Sequence, residues 1–445
     1  MLPRDLANSI CDTLLRHGYQ AFLVGGCVRD ILLRRDPTDF DVATDASPDQ
    51  VMQLFPDSLA VGARFGVVLV VRDSLKVEVA TFRHDLGYSD GRHPDQVIFT
   101  SIAQQDVARR DFTINGLLMR HDSGEVLDFV NGQADLRAGL IRAIGEPQRR
   151  FDEDKLRMLR AVRFAARFNF AIEPTTLAAI QRNASAIHSV SAERIHEELS
   201  KLLTEGSARR GFELLDETGL MEEVLPEVAA FKGVPQPPEF HPEGDVWIHT
   251  RLMLERLPAG VSRNLAWGVL LHDVGKPPTF RPASVTRDRI RFDGHAEIGV
   301  TLTGEICRRL KFSNDDTEQI QALVANHMKF KDVSQMRPST LKRFVRLPRF
   351  DEHLELHRLD CLSSHGNLDA YLSVLDFVRE TPPEQVKPPR LLTGDDLSAM
   401  GYVPGPEFRT ILAAVEDAQL EGTLGSANEA RAFVSAKYPI AKIRR

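Results

Sequence analysis

Short apolar runs separated by turn residues recur through the first 145 residues. Each run is rich in Val or Phe and is bounded by Gly, Asp or Pro, which is typical of β-strands. Residues 1–20 instead have the spacing of an amphipathic helix. The predicted strands are AFLVGG (21–26), DFDVAT (39–44), GVVLVV (66–71), KVEVATF (76–82), QVIFTS (96–101) and GEVLDFV (124–130). The pattern predicts one sheet combined with a few helices over residues 1–145.

Helical spacing of apolar residues replaces this pattern after Arg150. Two Pro-rich runs, 232–245 and 381–390, interrupt the helices and predict boundaries. Ser191 is a candidate N-cap for one of the helices. The predicted helices include 153–168, 175–190, 191–206, 208–226, 407–422 and 427–436. We therefore expect an α+β fold that is helical beyond residue 150.

Composition adds little to this prediction, but local charge does. Hydrophobic residues make up 42% and charged residues 27%, which is ordinary for a globular protein. The net charge of −7 is not the overall signature of a nucleic-acid-binding protein. Residues 141–170 differ, since they hold eight Arg or Lys against four Asp or Glu. A local basic stripe can bind RNA on a mildly acidic protein.

Cysteine usage and the N-terminus bear on location. The four cysteines are scattered with no CxxC spacing, which argues against a disulfide framework and fits a reducing cytosol. No window approaches the roughly 18 apolar residues of a membrane span. The N-terminus lacks the basic start and apolar core of a signal peptide. We expect a cytoplasmic protein without membrane contact, and the sequence indicates no obligate protein partner.

Asp39 and Asp41 stand two residues apart in one predicted strand. Residues two apart on a strand face the same side, so the carboxylates can share a metal ion. Mg²⁺ prefers such oxygen ligands and keeps substrate phosphates in its shell. Glu78, in KVEVATF, is a possible third carboxylate. The pair predicts a site where a metal ion and phosphates meet.

A glycine pair precedes these acids by fourteen residues. Gly25 and Gly26 allow the backbone to approach phosphates closely. Arg29 can neutralise phosphate charge through its forked guanidinium. The alternative interpretation is a strand end with two solvated aspartates and an ordinary tight turn.

Three ordered motifs resemble the class II tRNA nucleotidyltransferase and bacterial poly(A) polymerase family. They are LVGGCVRDILL…DFDVAT (23–44), VARRDFTINGLLM (107–119) and RRFDEDKLRMLRAVRFAARFNF (149–170). The resemblance extends over essentially the whole chain, and Gly116 departs from the Ala common at its position. It implies addition of CCA to tRNA without a template. It also implies that the tRNA 3′-hydroxyl attacks the α-phosphate of CTP or ATP and that pyrophosphate leaves.

The resemblance also implies roles for individual residues. Asp39 and Asp41 are catalytic and hold Mg²⁺, with Glu78 as a third candidate ligand. Asp154 and Arg157 read the base, because a carboxylate acceptor beside a guanidinium donor can mimic a Watson–Crick edge. The implied nucleotide-binding residues are Gly25, Gly26, Arg29, Arg110, Asp111, Asn115, Asp154, Arg157, Arg160 and Arg163.

The stripe in the third motif has a second interpretation. Asp154, Arg157, Arg160 and Arg163 recur every three residues in a helix predicted over 153–167. Three residues fall short of a 3.6-residue turn, so Arg163 drifts toward the apolar side while the other three share a face. A solvated face of ion pairs is the alternative to base recognition.

A second set of His and Asp residues lies in or beside predicted helices. Its order, H…HD…H…H…D, resembles an HD-type metal-dependent phosphohydrolase domain. A lone His is more often a core or surface group, but the ordered set favours a transition metal such as Ni²⁺, Mn²⁺ or Zn²⁺. The predicted ligands are His249, His272, Asp273, His295, His327 and Asp360, with Lys276 as a phosphate contact.

The expected α+β architecture has four parts. A nucleotidyltransferase palm (1–145) with a mixed sheet precedes a helical neck (146–230) for base recognition and RNA binding. An HD domain (231–380) and a helical tail (381–445) follow. The expected partners are tRNA, CTP and ATP. The segment 81–99 suggests a mobile loop and resembles that of CCA-adding members, which favours an enzyme able to add the terminal A.

Other functions remain open at this level. A-only addition and poly(A) synthesis use the same motifs. Phosphohydrolysis at the HD set is an alternative main activity. A non-enzymatic RNA-binding scaffold is a further class, and the intact acids at both sites argue against it.

Overall fold

A computed structural model describes residues 2–88, 91 and 94–440. Two compact units divide the chain. The first is Met1–Ala230 with Leu257–Val261 and Arg309–Phe312, and the second is Phe231–Arg256, Ser262–Arg308 and Ser313–Arg445. No helix in the described ranges has both the length and the apolar character needed to cross a membrane.

Among the described residues, all strands lie before residue 173. The strands are β1 Ala21–Val24, β2 Asp41–Thr44, β3 Ser58–Gly62, β4 Val67–Arg72, β5 Leu75–Thr81, β6 Arg83–Leu86, β7 Gln96–Phe99, β8 Leu117–Met119, β9 Val126–Asp128, β10 Leu140–Ile141 and β11 Ala171–Ile172. The helices of the first unit are α1 Pro3–Arg16, α2 Gly26–Leu32, α3 Pro48–Leu54, α4 Ala103–Ala108, α5 Gly132–Ala138, α6 Pro147–Glu153, α7 Leu156–Phe168, α8 Pro174–Asn183, α9 Ala192–Thr204, α10 Ala208–Glu217, α11 Leu220–Val224 and α12 Pro226–Ala229.

Seven strands form one mixed sheet in the order β3-β4-β5-β2-β1-β8-β9. The internal strand β2 pairs parallel with β5 and antiparallel with β1. In this register Asp41 lies opposite Glu78 on one side and Val24 on the other. The mixed sheet followed by helices confirms the predicted α+β fold class.

Two small pairs of strands lie outside this sheet. β6 and β7 form an antiparallel hairpin, and β10 pairs parallel with β11. The two strands of the hairpin lie at 83–86 and 96–99, within the segment 81–99 that the sequence predicts to be a mobile loop. Residues 89, 90, 92 and 93 of that segment lie outside the described residues.

The palm sheet is covered by helices whose sequence spacing predicts the contact. Helix α1 buries one face formed by Leu6, Ala7, Ile10, Cys11 and Leu14. This spacing is the apolar stripe of an amphipathic helix, and it confirms the predicted helix over 1–20. The strand β1 is buried at all four positions, so its sequence AFLV is continuously apolar.

The helix predicted over 153–167 begins at Leu156, three residues later than predicted, and a separate helix, α6, ends at Glu153. The backbone of Asp154 is extended, with φ −154° and ψ 107°. Its Oδ1 accepts a hydrogen bond from the backbone N–H of Leu156 at 3.1 Å. A local side-chain bond of this kind competes with helix continuation, so α6 ends and α7 begins here. The predicted start is therefore wrong and Asp154 does not lie on the helix with Arg157 and Arg160, although α7 confirms the helical spacing from Leu156 onward.

Two other predicted helices are also interrupted. The helix predicted over 208–226 is broken at Gly219, whose φ of 75° lies in the left-handed region. The helix predicted over 175–190 becomes 3₁₀ from Ala184 to Ser189. Ser191 does occupy the N-cap of α9, but its side chain makes no capping bond.

The described part of the second unit is helical. Its helices are α13 Val246–Glu255, α14 Arg263–Leu271, α15 Lys276–Thr279, α16 Ala283–Thr286, α17 His295–Arg309, α18 Asn314–Asn326, α19 Pro338–Phe344, α20 Phe350–Ser363, α21 Asp369–Glu380, α22 Pro383–Val386, α23 Gly394–Ala399, α24 Pro406–Leu420 and α25 Ala427–Lys437, with a 3₁₀ helix at His327–Gln335. The last three helices share a small core built from Leu392, Leu397, Tyr402, Ile411, Val415 and Val434, among others.

Candidate active sites

The palm carboxylates lie at the start of β2. Asp41 is the first residue of the strand and is half-buried, whereas Asp39 precedes the strand and is exposed. The strand therefore begins two residues later than predicted. Burial, the Glu78 carboxylate and Asp39 raise the pKa of Asp41 to about 6, although Arg110 opposes the shift. Carboxylate oxygens are the ligands that Mg²⁺ prefers, and Asp41 lies opposite Glu78 in the sheet, but these acids are not among the groups of described residues whose three donor atoms lie within 4.8 Å of one another.

The glycine turn precedes helix α2. Gly25 has a backbone φ of 75°, which residues with a side chain rarely adopt. A Cβ at Gly25 would lie 3.5 Å from Nη1 of Arg110. Gly26 is the first residue of α2. The absence of side chains here leaves the backbone open beside the arginine.

Arg29 is buried and held from several sides. Its Nε donates to Asp30 Oδ1 at 2.8 Å, and its Nη1 donates to Asn115 Oδ1 at 2.7 Å. The guanidinium carbon lies 4.6 Å from the Phe168 ring centroid and 5.2 Å from that of Phe164. Cation–π contacts and hydrogen bonds together fix its orientation.

Asp111 links the palm to helix α7. Its Oδ1 accepts from Asn115 Nδ2 at 3.1 Å, and its Oδ2 accepts from Arg160 Nε and Nη2 at 2.9 and 2.7 Å. Although burial opposes the shift, Arg160 and Asn115 lower the pKa of Asp111 to about 2. The neighbouring Arg110 donates to the buried Asp106 at 3.0 Å. The ARRD motif is therefore a set of paired charges rather than free ones.

Asp154 and Arg157 have fixed partners as well. Both oxygens of Asp154 accept from Arg194, at 3.1 and 2.7 Å. Nη1 of Arg157 donates to Glu153 Oε2 at 2.8 Å, and Nη2 donates to the carbonyl oxygen of Arg109 at 3.1 Å. These contacts hold the two side chains in one orientation each.

Arg163 is buried, as its drift toward the apolar side predicts. Its Nε donates to Glu198 Oε2 at 2.7 Å, and its Nη1 donates to Glu205 at 3.1 Å. Glu198 also lies 4.0 Å from Nη1 of Arg160. Sequence reasoning missed Glu198, Glu205 and Arg194, since they come from positions 35–42 residues away in the chain.

One cavity of about 460 Å³ is lined by all ten predicted nucleotide-binding residues and by Asp41. Asp39 and Glu78 do not line it. The lining also includes Arg109, Phe164 and Arg167, which were not predicted. Arg167 lies about one helical turn beyond Arg163, so continuing the basic stripe would have found it. The cavity has seven arginines and three aspartates, a charge balance suited to a polyphosphate.

All six predicted HD residues lie in one buried or partly buried cluster of the second unit. Their donor atoms form two groups, and the atoms of each group lie within 4.8 Å of one another. The groups are His249 with His272 and Asp360, and Asp273 with His295 and His327. His and carboxylate donors at this spacing are typical of a divalent-metal site.

Three of these histidines are oriented by the backbone. Nδ1 of His272, His295 and His327 lies 2.9, 2.9 and 2.6 Å from the carbonyl oxygen three residues earlier. Because a carbonyl only accepts, each Nδ1 carries a proton, and in the neutral ring Nε2 keeps a lone pair. His295 Nε2 and His327 Nε2 are 3.2 Å apart. Two facing lone pairs repel unless a cation or proton lies between them, so the cluster fits a metal ion.

Asp273, a member of the second group, also contacts His272 of the first. Its Oδ2 is 3.1 Å from His272 Nε2 and 2.7 Å from Lys276 Nζ. Its Oδ1 is 3.8 Å from Nε2 of both His295 and His327. Burial opposes ionisation, yet His272 and Lys276 hold the pKa of Asp273 well below its usual range. The carboxylate is therefore charged and faces both groups.

His249 is held differently, and sequence reasoning missed its partner. Its Nδ1 is 2.7 Å from Glu243 Oε1, and its Nε2 is 3.2 Å from Asp360 Oδ1. Burial alone lowers the pKa of His249, but Asp360 and Glu243 raise it to about 9. His241 Nδ1 lies 2.9 Å from the same Glu243 oxygen. Both missed residues lie in the Pro-rich run 232–245, where the pattern H-P-E was the available signal.

A cavity of about 670 Å³ is lined by His295, His327 and Asp360. His249, His272 and Asp273 are buried and do not line it. Cationic side chains also line it, namely Lys276, Arg289, Arg291 and Lys331. Cations beside a metal-type cluster suit a phosphate ester.

Three family profiles match successive parts of the chain. The profile described as Poly A polymerase head domain matches residues 21–142. The one described as Probable RNA and SrmB-binding site of polymerase A matches 169–232, and the HD domain profile matches 245–354. The head and HD domains imply that the chain uses divalent metal ions.

Relatives of known name are similar over the full length or over half of it. A CCA-adding enzyme from Levilactobacillus brevis is 32% identical over 439 residues, which are 97% of this chain and 97% of that protein. A CCA-adding enzyme from Geobacillus stearothermophilus is 44% identical over 218 residues, which are 49% of this chain and 54% of that protein.

Solved structures are similar as well. The Bacillus stearothermophilus CCA-adding enzyme in complex with CTP has a TM-score of 0.73 and 26% identity, with 100% of each chain covered. The Thermotoga maritima CCA-adding enzyme complexed with tRNA has a TM-score of 0.59 and 18% identity, and the match covers 97% of this chain and 94% of that chain. At this identity the match supports the fold alone. This chain belongs to the CCA-adding enzyme family of nucleotidyltransferases and carries an HD domain.

Proposed function

We propose that this chain adds C, C and A to tRNA 3′ ends from CTP and ATP without a nucleic-acid template. One observation carries the proposal. A single cavity joins Asp41, the Gly25–Gly26 turn and the Asp154–Arg157 pair. The relative of matching length from L. brevis is a CCA-adding enzyme, and the similar structure from B. stearothermophilus holds CTP.

Asp39 and Asp41 are the proposed catalytic residues, with Glu78 as a third acid. We infer that they hold Mg²⁺, because this ion prefers oxygen ligands beside substrate phosphates. When bound, such an ion activates the attacking 3′-hydroxyl and stabilises the leaving pyrophosphate. The backbone of Asp41 is fixed by β1 on one side and β5 on the other, which holds its carboxylate at the cavity.

Asp154 and Arg157 are the proposed base readers. A carboxylate accepts from the exocyclic amine that cytosine and adenine share, and a guanidinium donates to a ring nitrogen. Uracil and guanine place a carbonyl where that amine lies, so an acceptor would face an acceptor. Arg194 and Glu153 hold the two readers in place, which limits the orientations they can adopt.

The remaining cavity residues are proposed contacts to phosphates and ribose. The cationic groups neutralise the triphosphate, and the glycines let the backbone approach it. Asp111 and Arg160 are bonded to each other, so we expect them to act as a preformed unit. The proposed contacts are Gly25, Gly26, Arg29, Arg110, Asp111, Asn115, Arg160 and Arg163.

Nucleotide incorporation on three tRNA substrates tests the proposal. The substrates end before CCA, after the first C, and after the second C, and labelled CTP and ATP are supplied separately and together. We expect CTP use on the first two substrates and ATP use on the third. No CTP use on the shortest substrate would favour A-only addition, and long A tracts would favour poly(A) synthesis. Either result contradicts CCA addition.

A second candidate function is phosphoester hydrolysis in the HD domain. The facing lone pairs of His295 and His327 favour it, since they fit a cation. We infer Ni²⁺, Mn²⁺ or Zn²⁺, because imidazole and carboxylate donors suit these ions. When bound, such an ion supplies an activated water for attack at phosphorus. We propose that the domain trims tRNA ends carrying a 3′-phosphate or a 2′,3′-cyclic phosphate before extension.

Hydrolysis assays on tRNA ending in each of these phosphates test the second function. Chelator-treated protein is assayed alone and after addition of Ni²⁺, Mn²⁺ or Zn²⁺. We expect no hydrolysis without metal and recovery with at least one ion. Absence of hydrolysis with every ion contradicts the proposal.

We propose the domain bounds 1–145, 146–230, 231–380 and 381–445. The division between the two compact units at Ala230 and Phe231 supports the proposed boundary between the neck and the HD domain. The small core shared by the last three helices supports a separate tail. A cytoplasmic location stays a prediction, which the four free cysteines support.

A further inference from the structure

Glu243 is a mostly buried carboxylate inside the HD cluster. Its Oε1 lies 2.7 Å from His249 Nδ1 and 2.9 Å from His241 Nδ1, and its side chain is 8% exposed. Its other oxygen, Oε2, is buried and has no hydrogen-bond partner. An unsatisfied buried carboxylate oxygen costs stability. Fold stability alone therefore does not explain this side chain.

Comparison of the four clustered histidines indicates its role. In three of them Nδ1 contacts a backbone carbonyl oxygen, which leaves Nε2 as the atom that can bind a metal ion. His249 has Nδ1 at the Glu243 carboxylate instead. The carbonyl three residues before His249 belongs to Val246, and it accepts from Thr250 Oγ1 at 2.8 Å. Glu243 thus takes the place that a backbone carbonyl has for the other three.

A carboxylate differs from a carbonyl in carrying charge. A carboxylate bonded to Nδ1 fixes the imidazole tautomer and makes Nε2 a stronger metal donor. His249 Nε2 is 3.2 Å from Asp360 Oδ1. Nε2 therefore faces the group of candidate metal ligands formed by His249, His272 and Asp360. The chain of contacts runs from Glu243 through the His249 ring to Asp360.

We propose that Glu243 is a positioning residue of the HD metal site, which holds Nδ1 of His249 so that Nε2 and Asp360 face a divalent cation. The inference rests on the proposed metal binding in the HD domain. Glu243 precedes the segment 245–354 that the HD profile matches, so the match assigns it no role.

Direct ligation is the competing interpretation. Glu243, His241 and His249 also offer donor atoms within 4.8 Å of one another. A direct ligand, when replaced, removes an ion or changes its coordination. A positioning residue, when replaced, weakens binding without changing the number of ions bound.

Co²⁺ titration of the full chain distinguishes these roles. Asp39→Ala and Asp41→Ala are present throughout, so that the palm acids do not contribute. Visible absorption reports Co²⁺ coordination, and metal analysis gives the number of ions per chain. We expect Glu243→Gln to weaken Co²⁺ binding about 10- to 100-fold with an unchanged number of ions. Glu297→Gln is the control, because Glu297 is an exposed acid that lines the cavity beside the HD cluster.

A double-mutant cycle tests whether Glu243 acts through His249. In a His249→Ala background we expect Glu243→Gln to have no further effect on Co²⁺ affinity. Equal effects in both backgrounds, or a lost ion in Glu243→Gln, would overturn the positioning role. Glu243→Asp keeps the charge on a shorter side chain, so we expect an intermediate affinity, and it keeps the test available if the Gln variant does not fold.

The parent protein, which carries only Asp39→Ala and Asp41→Ala, distinguishes failure of the HD metal site from failure of the role of Glu243. If the parent binds no Co²⁺, the HD metal site itself is refuted and the role of Glu243 with it. If the parent and Glu243→Gln bind equally, only the role of Glu243 is refuted.

Discussion

The nucleotide cavity and the HD cluster both gather charged side chains, but they do so by different means. In the nucleotide cavity, Arg163 and Asp154 are paired with residues of opposite charge from helix α9 or just beyond it. In the HD cluster, His295 and His327 bond to nearby backbone carbonyls and turn their Nε2 lone pairs toward each other. Asp154 and Arg163 of the first site are thus paired without a ligand, whereas His295 and His327 of the second site face each other through their Nε2 atoms.

This difference indicates how each site works. Paired side chains keep a fixed shape and can exchange one charged substrate for the next at low cost in reorganisation. Imidazole lone pairs that face each other at the spacing of metal ligands instead favour an ion that stays bound. We therefore expect the neck to set nucleotide choice and the HD cluster to set metal affinity.

The largest expected effect tests the palm end of the nucleotide cavity. Asp41→Asn should lower kcat/KM for CTP incorporation about 10²- to 10³-fold, the range for losing one electrostatic group at a reaction centre. Glu78→Gln should cost less, since Glu78 does not line the cavity. The control is Asp36→Asn, an exposed acid nearby. A larger loss for Glu78→Gln than for Asp41→Asn would contradict the assignment.

The next effect tests whether paired charges hold the neck together. Glu198→Ala leaves the buried Arg163 with Glu205 alone, and we expect a loss of about 3–5 kcal/mol in the free energy of unfolding. Urea denaturation followed by circular dichroism measures it. Lys201→Ala is the control, because Lys201 is half-exposed and 3.9 Å from Glu198, and it should cost under about 1 kcal/mol. Equal losses in the two variants would contradict the account of the buried pair.

A smaller effect tests base reading at the same cavity. Asp154→Asn replaces one acceptor oxygen by a donor, so discrimination between CTP and UTP should fall by about 1–3 kcal/mol. The ratio of kcat/KM for the two nucleotides on tRNA lacking CCA measures this. Asp152→Asn is the matched control, since Asp152 is exposed two residues earlier. An unchanged ratio in Asp154→Asn would refute base reading by this residue.

The smallest effect separates exposed from buried partners of Glu153. Arg149 lies 3.5 Å from Glu153 and its side chain is 72% exposed. Arg149→Ala should change the free energy of unfolding by less than about 1 kcal/mol and leave incorporation unaffected. Thermal and urea unfolding with the CTP assay check this. A loss comparable to that of Glu198→Ala would show that exposure is a poor guide to the importance of these pairs.

The sequence predicts what depends on local pattern. The apolar runs place β1, β4 and β5 correctly, and the spacing of Leu6 to Leu14 predicts α1. The HD cluster is predictable because its candidate metal ligands stand in a recognisable order, although they come together only in the fold.

Other features depend on contacts that periodicity does not contain. The break at Asp154 comes from one side-chain hydrogen bond to Leu156, which a helical hydrophobic pattern cannot reveal. Arg194 and Glu198 are distant in sequence from their partners, so tertiary packing alone sets the pairing. Sequence reasoning missed Glu243 because a Pro-rich run predicts a domain boundary, although this run also holds the carboxylate that contacts His249.

The central claim is that nucleotide addition and phosphoester hydrolysis belong to separate metal sites. Parallel assays of both reactions on two double variants test it most directly. We predict that Asp39→Ala with Asp41→Ala abolishes CTP and ATP incorporation and leaves hydrolysis intact, and that His295→Ala with His327→Ala does the reverse. Loss of both activities in either folded variant would contradict two independent sites.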